Sequence, residues 1–194
     1  MNTGMNLLPY KIILTNNFQR SSNGVFKETP DTVFKKVAHD VFKKASHDVL
    51  TKKVFLVQTD TTVGFLSQDE IQLAQIKERE FHKPFVQVTH SFKMLKKLVR
   101  IPTAHKRSVR RARSTTFAYT NNKAVRVVKD EKHAAFIKPF GWFYSTSANE
   151  KSLSYDQEFA FSKSDIIVQD DKGLYEGASS KIYRLYKTKK KRLR

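Results

Sequence analysis

The sequence has no cysteine, only six glycines and five prolines among 194 residues, and no long run of apolar residues. The absence of cysteine excludes disulfides, thiolate nucleophiles and cysteine-ligated metal clusters, and it is typical of a reducing compartment. The first residues show neither a signal-peptide pattern nor the roughly 20 apolar residues that a membrane-spanning helix requires. We therefore expect a cytoplasmic protein without membrane insertion.

Acidic residues are scarce as well, since 18 Asp and Glu stand against 37 Lys and Arg, which gives a formal net charge of +19. None lies between Glu80 and Asp130. A chain with this charge excess is expected to bind an extended anion such as nucleic acid, a nucleotide or an acidic membrane surface. Closely spaced arginines repel one another and suit planar phosphate recognition, although a solvated helix face is the alternative explanation. On this pattern we predict RNA contact by Arg107, Arg110, Arg111 and Arg113.

Short apolar segments alternate along the chain between the patterns of strands and helices. Runs of β-branched and aromatic residues predict strands at 54–57, 85–88, 115–119, 124–128, 142–144, 166–168 and 182–185. Helical spacing of apolar residues predicts helices near 70–76, 92–99 and 133–140. The length suffices for one core, and strands interleaved with helices predict an α/β (α+β) fold, a twisted mixed sheet with flanking helices.

The chain divides by composition into three parts. Residues 1–52 form an N-terminal extension. Its first part, 1–30, is polar and turn-rich apart from one predicted strand at 12–14, and an octapeptide follows that is repeated at 33–40 and 41–48. Because a period of eight fits neither known solenoid units nor a heptad, we interpret the repeat as a duplication that forms a lysine-rich helix, and we expect no metal site at its histidines. Residues 53–186 form the predicted globular domain. The basic segment 187–194 is expected to be frayed.

Motifs of several enzyme classes are absent: there is no His-x-x-x-His pair, no Gly-x-Ser-x-Gly elbow, no P-loop lysine motif and no paired carboxylates. Instead, hydroxyl and amide side chains recur beside cations at 59–62, 77–79, 145–149 and 179–181. Such groups donate to anionic oxygens and stabilise charge on a phosphorus centre without transferring a proton. Taken singly, each cluster is also explained by turn and helix-cap chemistry.

Several of these segments carry recognisable motifs. They are Gln58–Phe65 (QTDTTVGF), Ile76–Arg79 with Lys83–Pro84, Val125–Val127, Tyr144–Asn149 and Ser179–Ile182. In this order they resemble the P-T-D/E-T-x-Y-G-L, I-K-x-R-P…P-L, v-R-v, S-T-S-A-N and S-T-I-v motifs of the YrdC-like threonylcarbamoyl-AMP synthase family. The resemblance spans roughly 53–185 and implies a twisted α/β sheet with a deep, positively charged concavity.

Members of that family combine L-threonine, bicarbonate and ATP into threonylcarbamoyl-adenylate and pyrophosphate, the activated intermediate for modifying an adenosine beside the anticodon of tRNA. The resemblance implies that this chain is such a nucleotidyltransferase, with Mg²⁺ bridging the ATP phosphates and a downstream threonylcarbamoyl-transferase complex as a partner. It implies a catalytic tetrad of Lys77, Arg79, Ser147 and Asn149. Residues implied to contact threonine or ATP are Thr59, Thr61, Thr116, Arg126, Ser145 and Ser180.

Lys77 and Arg79 are two positions apart, and on a continuing helix they would point away from each other. They can share one anionic pocket with Ser147 and Asn149 only if the helix ends at Ile76. The alternative is that they decorate a helix C-terminus and interact with its dipole.

The chain also departs from the family pattern. The proline and the tyrosine of the signature are Gln58 and Val63, the P-G-P loop is replaced by Arg111–Ser114, and the x-S-G after the tetrad asparagine is Glu150–Ser152. The complete tetrad favours the enzyme, whereas the altered loops favour a non-catalytic double-stranded RNA or tRNA binder on the same fold. A basic adaptor for ribosomes or membranes is supported by the charge alone.

Overall fold

The computed structural model describes residues 11–15, 47–79, 84–150 and 153–194. These residues contain one mixed sheet of ten strands. In chain order the strands are β1 (Lys11–Leu14), β2 (Phe55–Gln58), β3 (Val63–Ser67), β4 (Val86–Thr89), β5 (Thr115–Ala118), β6 (Ala124–Val127), β7 (Trp142–Ser147), β8 (Ile166–Gln169), β9 (Lys181–Leu185) and β10 (Lys190–Arg192). Across the sheet the order is β1-β8-β2-β3-β7-β4-β6-β5-β9-β10, and the pairs β2–β8, β4–β6 and β5–β9 are parallel.

Short helices flank this sheet. They are α1 (His47–Thr51), α2 (Glu70–Ile76), α3 (Phe92–Leu98), a 3₁₀ turn (Thr103–His105), α4 (Lys106–Arg111), α5 (Glu131–Ile137) and α6 (Gln157–Lys163). The side chains of Asp69, Ser91, Asp130 and Asp156 accept first-turn N–H groups and so begin four of the helices. No helix among the described residues has the length and apolar character needed to cross a membrane.

The core lies on both faces of the sheet. Consecutive residues of β2 belong to different clusters, because their side chains point to opposite faces of the sheet. Phe55 packs with Phe136, Phe140 and Phe143, whereas Leu56 packs on the other face. The four phenylalanines are at most 5% exposed, and the ring centroids of contacting pairs lie 4.9–5.8 Å apart. Each such side chain contributes roughly 1.5–3 kcal/mol on burial, so this cluster fixes α5 against β2 and β7.

Most of the predicted elements are present, and the α/β fold class is confirmed. The predicted strands correspond to β2 and β4–β9, and the predicted helices to α2, α3 and α5. Five elements were not predicted: β3, β10, α4, α6 and the 3₁₀ turn. Strand β3 follows a polar turn that hides its start, and Val109 is the one apolar residue of α4, too little for a helical pattern.

The two ends of the described chain join the sheet. The predicted strand at 12–14 is confirmed as β1, which pairs antiparallel with β8, and Leu50 of α1 is buried in the core. The expectation of a frayed segment at 187–194 is wrong, because β10 pairs with β9 and the Leu193 N–H donates to the Ile182 carbonyl. The division at residue 53 stays a prediction. Residues 33–46, which hold most of the octapeptide repeat, lie outside the described residues, as does Lys83.

Candidate anion-binding site

Helix α2 ends at Ile76, as Lys77 and Arg79 require if they are to share a site. Lys77 caps the helix and Glu78 has a positive φ of 45°, so the chain turns before Arg79. The Lys77 ammonium contacts the backbone carbonyl of Asn149 and lies 3.1 Å from its side-chain oxygen. Burial, together with the nearby charge of Arg79, lowers the pKa of Lys77. Lys77 is therefore held against Asn149, one of its predicted tetrad partners, which lies just after β7.

Arg79 lies on the wall of a cavity of about 310 Å³. Its guanidinium lies 4.6 Å from the centroid of the Phe85 ring and donates to the Pro84 carbonyl at 3.3 Å. Burial lowers its pKa, but a guanidinium keeps its proton at any physiological pH. The ring contact and the hydrogen bond hold a permanent positive charge at the cavity.

Arginines and hydroxyls dominate this cavity, and among the described residues no acidic side chain lines it. We call it the anion pocket. Its lining consists of Thr59, Thr61, Thr62, Gly64, Arg79, Pro84, Val86, Arg126, Ser145, Thr146, Ser147, Ser179, Ser180, Ile182 and Arg194. Converging N–H and O–H donors without a competing carboxylate are suited to bind anionic oxygens.

The turn between β2 and β3 provides one wall of the pocket through a network of hydrogen bonds. The hydroxyls of Thr59 and Thr61 lie 3.0 Å apart, and the Thr59 hydroxyl also donates to the Thr62 carbonyl at 2.7 Å. Arg126 of β6 donates to the Thr61 hydroxyl at 3.0 Å, and its other terminal nitrogen lies 3.3 Å from the Asp60 carboxylate. The guanidinium is thus held from two sides while it lines the pocket.

Asp60 and Arg126 form a buried ion pair, since each side chain is 5% exposed. Burial acts to raise the pKa of Asp60, but the positive charge of Arg126 opposes burial, and the pKa lies below its usual value. Burial likewise lowers the pKa of Arg126, which the charge of Asp60 opposes. The pair therefore stays ionised at neutral pH.

The segment before β9 and the end of β10 close the pocket on another side. Ser180 accepts the Arg194 Nε–H at its carbonyl, at 3.1 Å, and its hydroxyl lies 3.0 Å from the hydroxyl of Thr116. Thr116 is fully buried behind Ser180 and does not line the pocket. Its place is that of a support for Ser180, not of a contact for a ligand.

Gly177 lets the loop between β8 and β9 press directly against the turn. Its N–H donates to the Thr62 hydroxyl at 3.1 Å, and a Cβ at this position would lie 2.0 Å from the Thr61 carbonyl oxygen. Only a residue without a side chain permits this approach. The loop thereby fixes the backbone that presents Thr61 and Thr62 to the pocket.

The structure brings most of the predicted catalytic and substrate-binding residues together. Those that line the pocket are Thr59, Thr61, Arg79, Arg126, Ser145, Ser147 and Ser180, and Lys77 and Asn149 contact each other beside it. Arg194 was not predicted, because the basic segment 187–194 was expected to be frayed. A hairpin of β9 and β10 would have predicted its position, because the second strand of such a hairpin returns the chain to Ser180.

The predicted RNA-binding arginines occupy two places. Lys106, Arg107, Arg110 and Arg111 of α4 line a shallow cavity of about 390 Å³ and are all exposed, and we call them the α4 surface. Arg113 lies apart from them, at a separate cavity of about 630 Å³ that Asp60 and Asp130 also line. The α4 surface adjoins the β9–β10 hairpin, since the buried His105 ring lies 3.1 Å from the Tyr186 carbonyl.

Comparison with known proteins finds likeness in structure alone. No family model matches the sequence, and no curated protein matches it. Among solved structures, Sua5 from P. abyssi in complex with L-threonine is 18% identical with a TM-score of 0.61 over 74% of this chain and 50% of that chain. HypF from T. kodakarensis is 12% identical with a TM-score of 0.63, over 93% of this chain and 25% of that chain.

A third structure is similar over most of its own length. The MTH1692 protein of Methanobacterium thermoautotrophicum is 19% identical with a TM-score of 0.57, over 88% of this chain and 89% of that chain. This chain spans about half the length of the Sua5 structures. At these identities the likeness establishes the fold, and the fold is the Sua5-like, YrdC-like α/β sheet that the sequence motifs implied.

Proposed function

We propose that this chain is a threonylcarbamoyl-AMP synthase of tRNA modification. The observation that carries the proposal is the anion pocket, where Arg79, Arg126 and Arg194 converge with serine and threonine hydroxyls. The similarity to a Sua5 protein crystallised with L-threonine supports it. The sequence motifs of the family support it independently, because they fall on residues of this pocket.

The proposed reaction needs cations and donors and no protein base. The threonine amine and bicarbonate form a carbamate with loss of water, and a carbamate oxygen then attacks the α-phosphorus of ATP and displaces pyrophosphate. Negative charge shifts onto phosphate oxygens in this step, and fixed arginines in a half-buried pocket stabilise it. Among the described residues, the pocket offers this kind of group and no acidic side chain.

We assign Lys77 and Arg79 to the phosphates, and the hydroxyl and amide groups of Thr61, Ser147 and Asn149 to orienting the threonine and carbamate part. A volume of about 310 Å³ is at the low end for ligand cavities. It suits the reacting phosphate and the threonylcarbamoyl group, with the nucleoside extending outside.

Magnesium belongs to the substrate in this proposal. No group of three or more His, Asp or Glu side chains among the described residues is arranged to hold a metal ion. Since the part of the chain that the structure describes also places no acidic side chain in the pocket lining, these residues do not form a magnesium site of their own. Magnesium therefore enters as MgATP, bound through phosphate oxygens and water.

The test is pyrophosphate release by the purified protein. Release should require ATP, threonine and bicarbonate together, and Arg79→Ala should lower it by at least tenfold because a charge-assisted contact to the transferring group contributes about 2–4 kcal/mol. Lys77→Ala should behave alike. The matched control is Arg100→Ala, which removes an exposed arginine outside the pocket. Release without threonine, or wild-type turnover in both pocket variants, would contradict the proposal.

A second candidate function is binding of double-stranded RNA or tRNA without catalysis. The α4 surface favours it, because its four cations lie together, exposed, on a stretch of chain that has no acidic residue. For the enzyme, the same surface would serve to hold tRNA near the transferase complex that receives the intermediate. The pyrophosphate assay separates the two functions, since a pure binder releases none.

A further inference from the structure

One buried histidine contacts the turn between β2 and β3, which provides a wall of the anion pocket, and takes no part in the proposed chemistry. His133 of α5 is 1% exposed. Its Nδ1 accepts the backbone N–H of Asp60 at 3.1 Å and lies 3.4 Å from the Asp60 carboxylate. His133 thus touches both the main chain and the side chain of the residue that pairs with Arg126.

The hydrogen bond fixes the state of the ring. A nitrogen that accepts an N–H carries no proton, so the proton of the neutral imidazole is on Nε2. That Nε2 is buried and has no hydrogen-bond partner among the described residues, which costs stability. An apolar side chain would fill the same space without this cost, so packing alone does not call for histidine here.

Arg126 and Thr61 connect the contact between His133 and Asp60 to the pocket. With its N–H held by His133, Asp60 presents its carboxylate 3.3 Å from one terminal nitrogen of Arg126. The other terminal nitrogen of Arg126 donates to the Thr61 hydroxyl at 3.0 Å. Both Arg126 and Thr61 line the anion pocket, whereas His133 and the Asp60 carboxylate lie behind them.

We propose that His133 is a positioning residue that, by holding the Asp60 backbone, sets the direction of Arg126 and Thr61 toward the bound anion. This inference rests on the proposed function only where it takes MgATP as the anion. The relay from His133 to Arg126 is a property of the fold and can be measured in the protein without ligand.

Three variants separate positioning from packing. His133→Asn places an amide oxygen near the position of Nδ1 and can still accept the Asp60 N–H. His133→Gln carries its amide one carbon further out and loses that acceptor, and His133→Leu removes it altogether. We expect all three substitutions to lower stability, so NMR signals and affinities are compared between variants whose melting temperatures are similar. If His133→Leu does not fold, the Asn and Gln variants decide alone.

Two measurements are made on each variant. The first is the NMR signal of the Arg126 Nε–H, a buried group without a hydrogen-bond partner among the described residues, which is shielded from exchange with water. The second is the dissociation constant for MgATP by calorimetry. We expect the Asn variant to keep the signal and affinity of the wild type. The Gln and Leu variants should lose or shift the signal and bind MgATP about tenfold more weakly, because misplaced groups no longer meet the ligand in a preorganised geometry.

The outcomes are distinct. An unchanged Arg126 signal in the Gln and Leu variants overturns the proposal, as does an affinity that follows melting temperature and not the presence of the acceptor. Failure of the wild type to bind MgATP contradicts the proposed function. In that case the Arg126 signal still decides whether His133 positions this arginine.

Discussion

The anion pocket and the α4 surface contain the same kinds of cationic side chain, but these side chains differ in how firmly they are held. In the pocket, Arg79 packs on a ring and Arg126 pairs with a carboxylate, and a terminal nitrogen of each donates a hydrogen bond. On the α4 surface the cations are exposed, although Arg110 also packs on the Phe92 ring at 4.7 Å.

Because of this difference, the two regions are expected to recognise different kinds of ligand. Cations fixed by hydrogen bonds lose little entropy when a ligand binds, so a pocket of them can favour one geometry of charge over another. Exposed cations attract any extended polyanion and are screened by salt. We therefore expect chemistry and selectivity in the pocket and sequence-independent binding on the α4 surface. Substitutions in and around the two regions test that contrast.

The largest expected effect is on stability and concerns the buried ion pair. Asp60→Asn should lower the free energy of unfolding by about 3–5 kcal/mol, because it leaves the buried Arg126 without its counter-charge. The control is Lys132→Ala, which breaks the exposed pair with Asp170 and should leave stability nearly unchanged. Urea unfolding of both variants measures the difference. Similar losses in the two variants would contradict the prediction that burial makes the Asp60–Arg126 pair important for stability.

The next effect concerns the loop that presses on the pocket turn. Gly177→Ala should cost about 1–3 kcal/mol, since its Cβ would lie 2.0 Å from the Thr61 carbonyl oxygen and the backbone must move. It should also weaken MgATP binding, because Thr61 and Thr62 move with it. Gly173→Ala is the comparison, as its Cβ meets nothing within 4 Å and tests only the positive φ of 71°. Thermal unfolding and calorimetry are the measurements, and wild-type affinity in Gly177→Ala would contradict the prediction.

A smaller effect is a dependence of stability on pH. Burial lowers the pKa of His133, so the folded protein keeps this ring neutral while the unfolded chain binds a proton below about pH 6.5. The unfolded state then holds more protons, and stability should fall as the pH drops through that value. Free energies of unfolding between pH 7.5 and 5.5 should show this slope, reduced in His133→Asn. An equal slope in that variant would assign it to other groups.

The smallest effect on stability is expected at the α4 surface. Replacing Arg107, Arg110 and Arg111 by glutamine should change the free energy of unfolding by no more than about 0.5 kcal/mol per residue, as for other surface substitutions. Binding to double-stranded RNA should weaken, and the salt slope should fall by about one for each phosphate that the variant no longer neutralises.

Fluorescence anisotropy over a range of salt concentrations measures this slope. Substitution of the exposed Lys52, Lys138 and Lys163 by glutamine is the control, since it removes the same charge outside α4. An equal fall in both triple variants would show that net charge alone matters. Arg113→Gln, tested singly, shows whether the fourth predicted arginine acts with the α4 surface, from which the fold separates it.

Local patterns predicted the parts of the fold that are encoded within a few residues. Apolar residues at helical spacing predicted α2, which begins after its cap Asp69, and two β-branched runs predicted β5 and β6, whose connecting turn holds Asn122 with a φ of 60°. Lys77 and Arg79 can share a pocket only if the helix ends at Ile76, and α2 does end there. Helix α4 could not be predicted in this way, because its single inward residue, Val109, gives no period.

Composition and short-range spacing are local properties of the chain. They account for the charge of this protein, its α/β class and the motif residues from which an anion site would be built. Tertiary structure decided which of those residues reach the pocket. It buried Thr116 behind Ser180, brought Arg194 back to the pocket along β10 and placed His133 under Asp60. These contacts join residues 64, 14 and 73 positions apart. Contacts of that kind depend on strand order and register, which arise from the packing of the whole sheet and leave no local pattern in the chain.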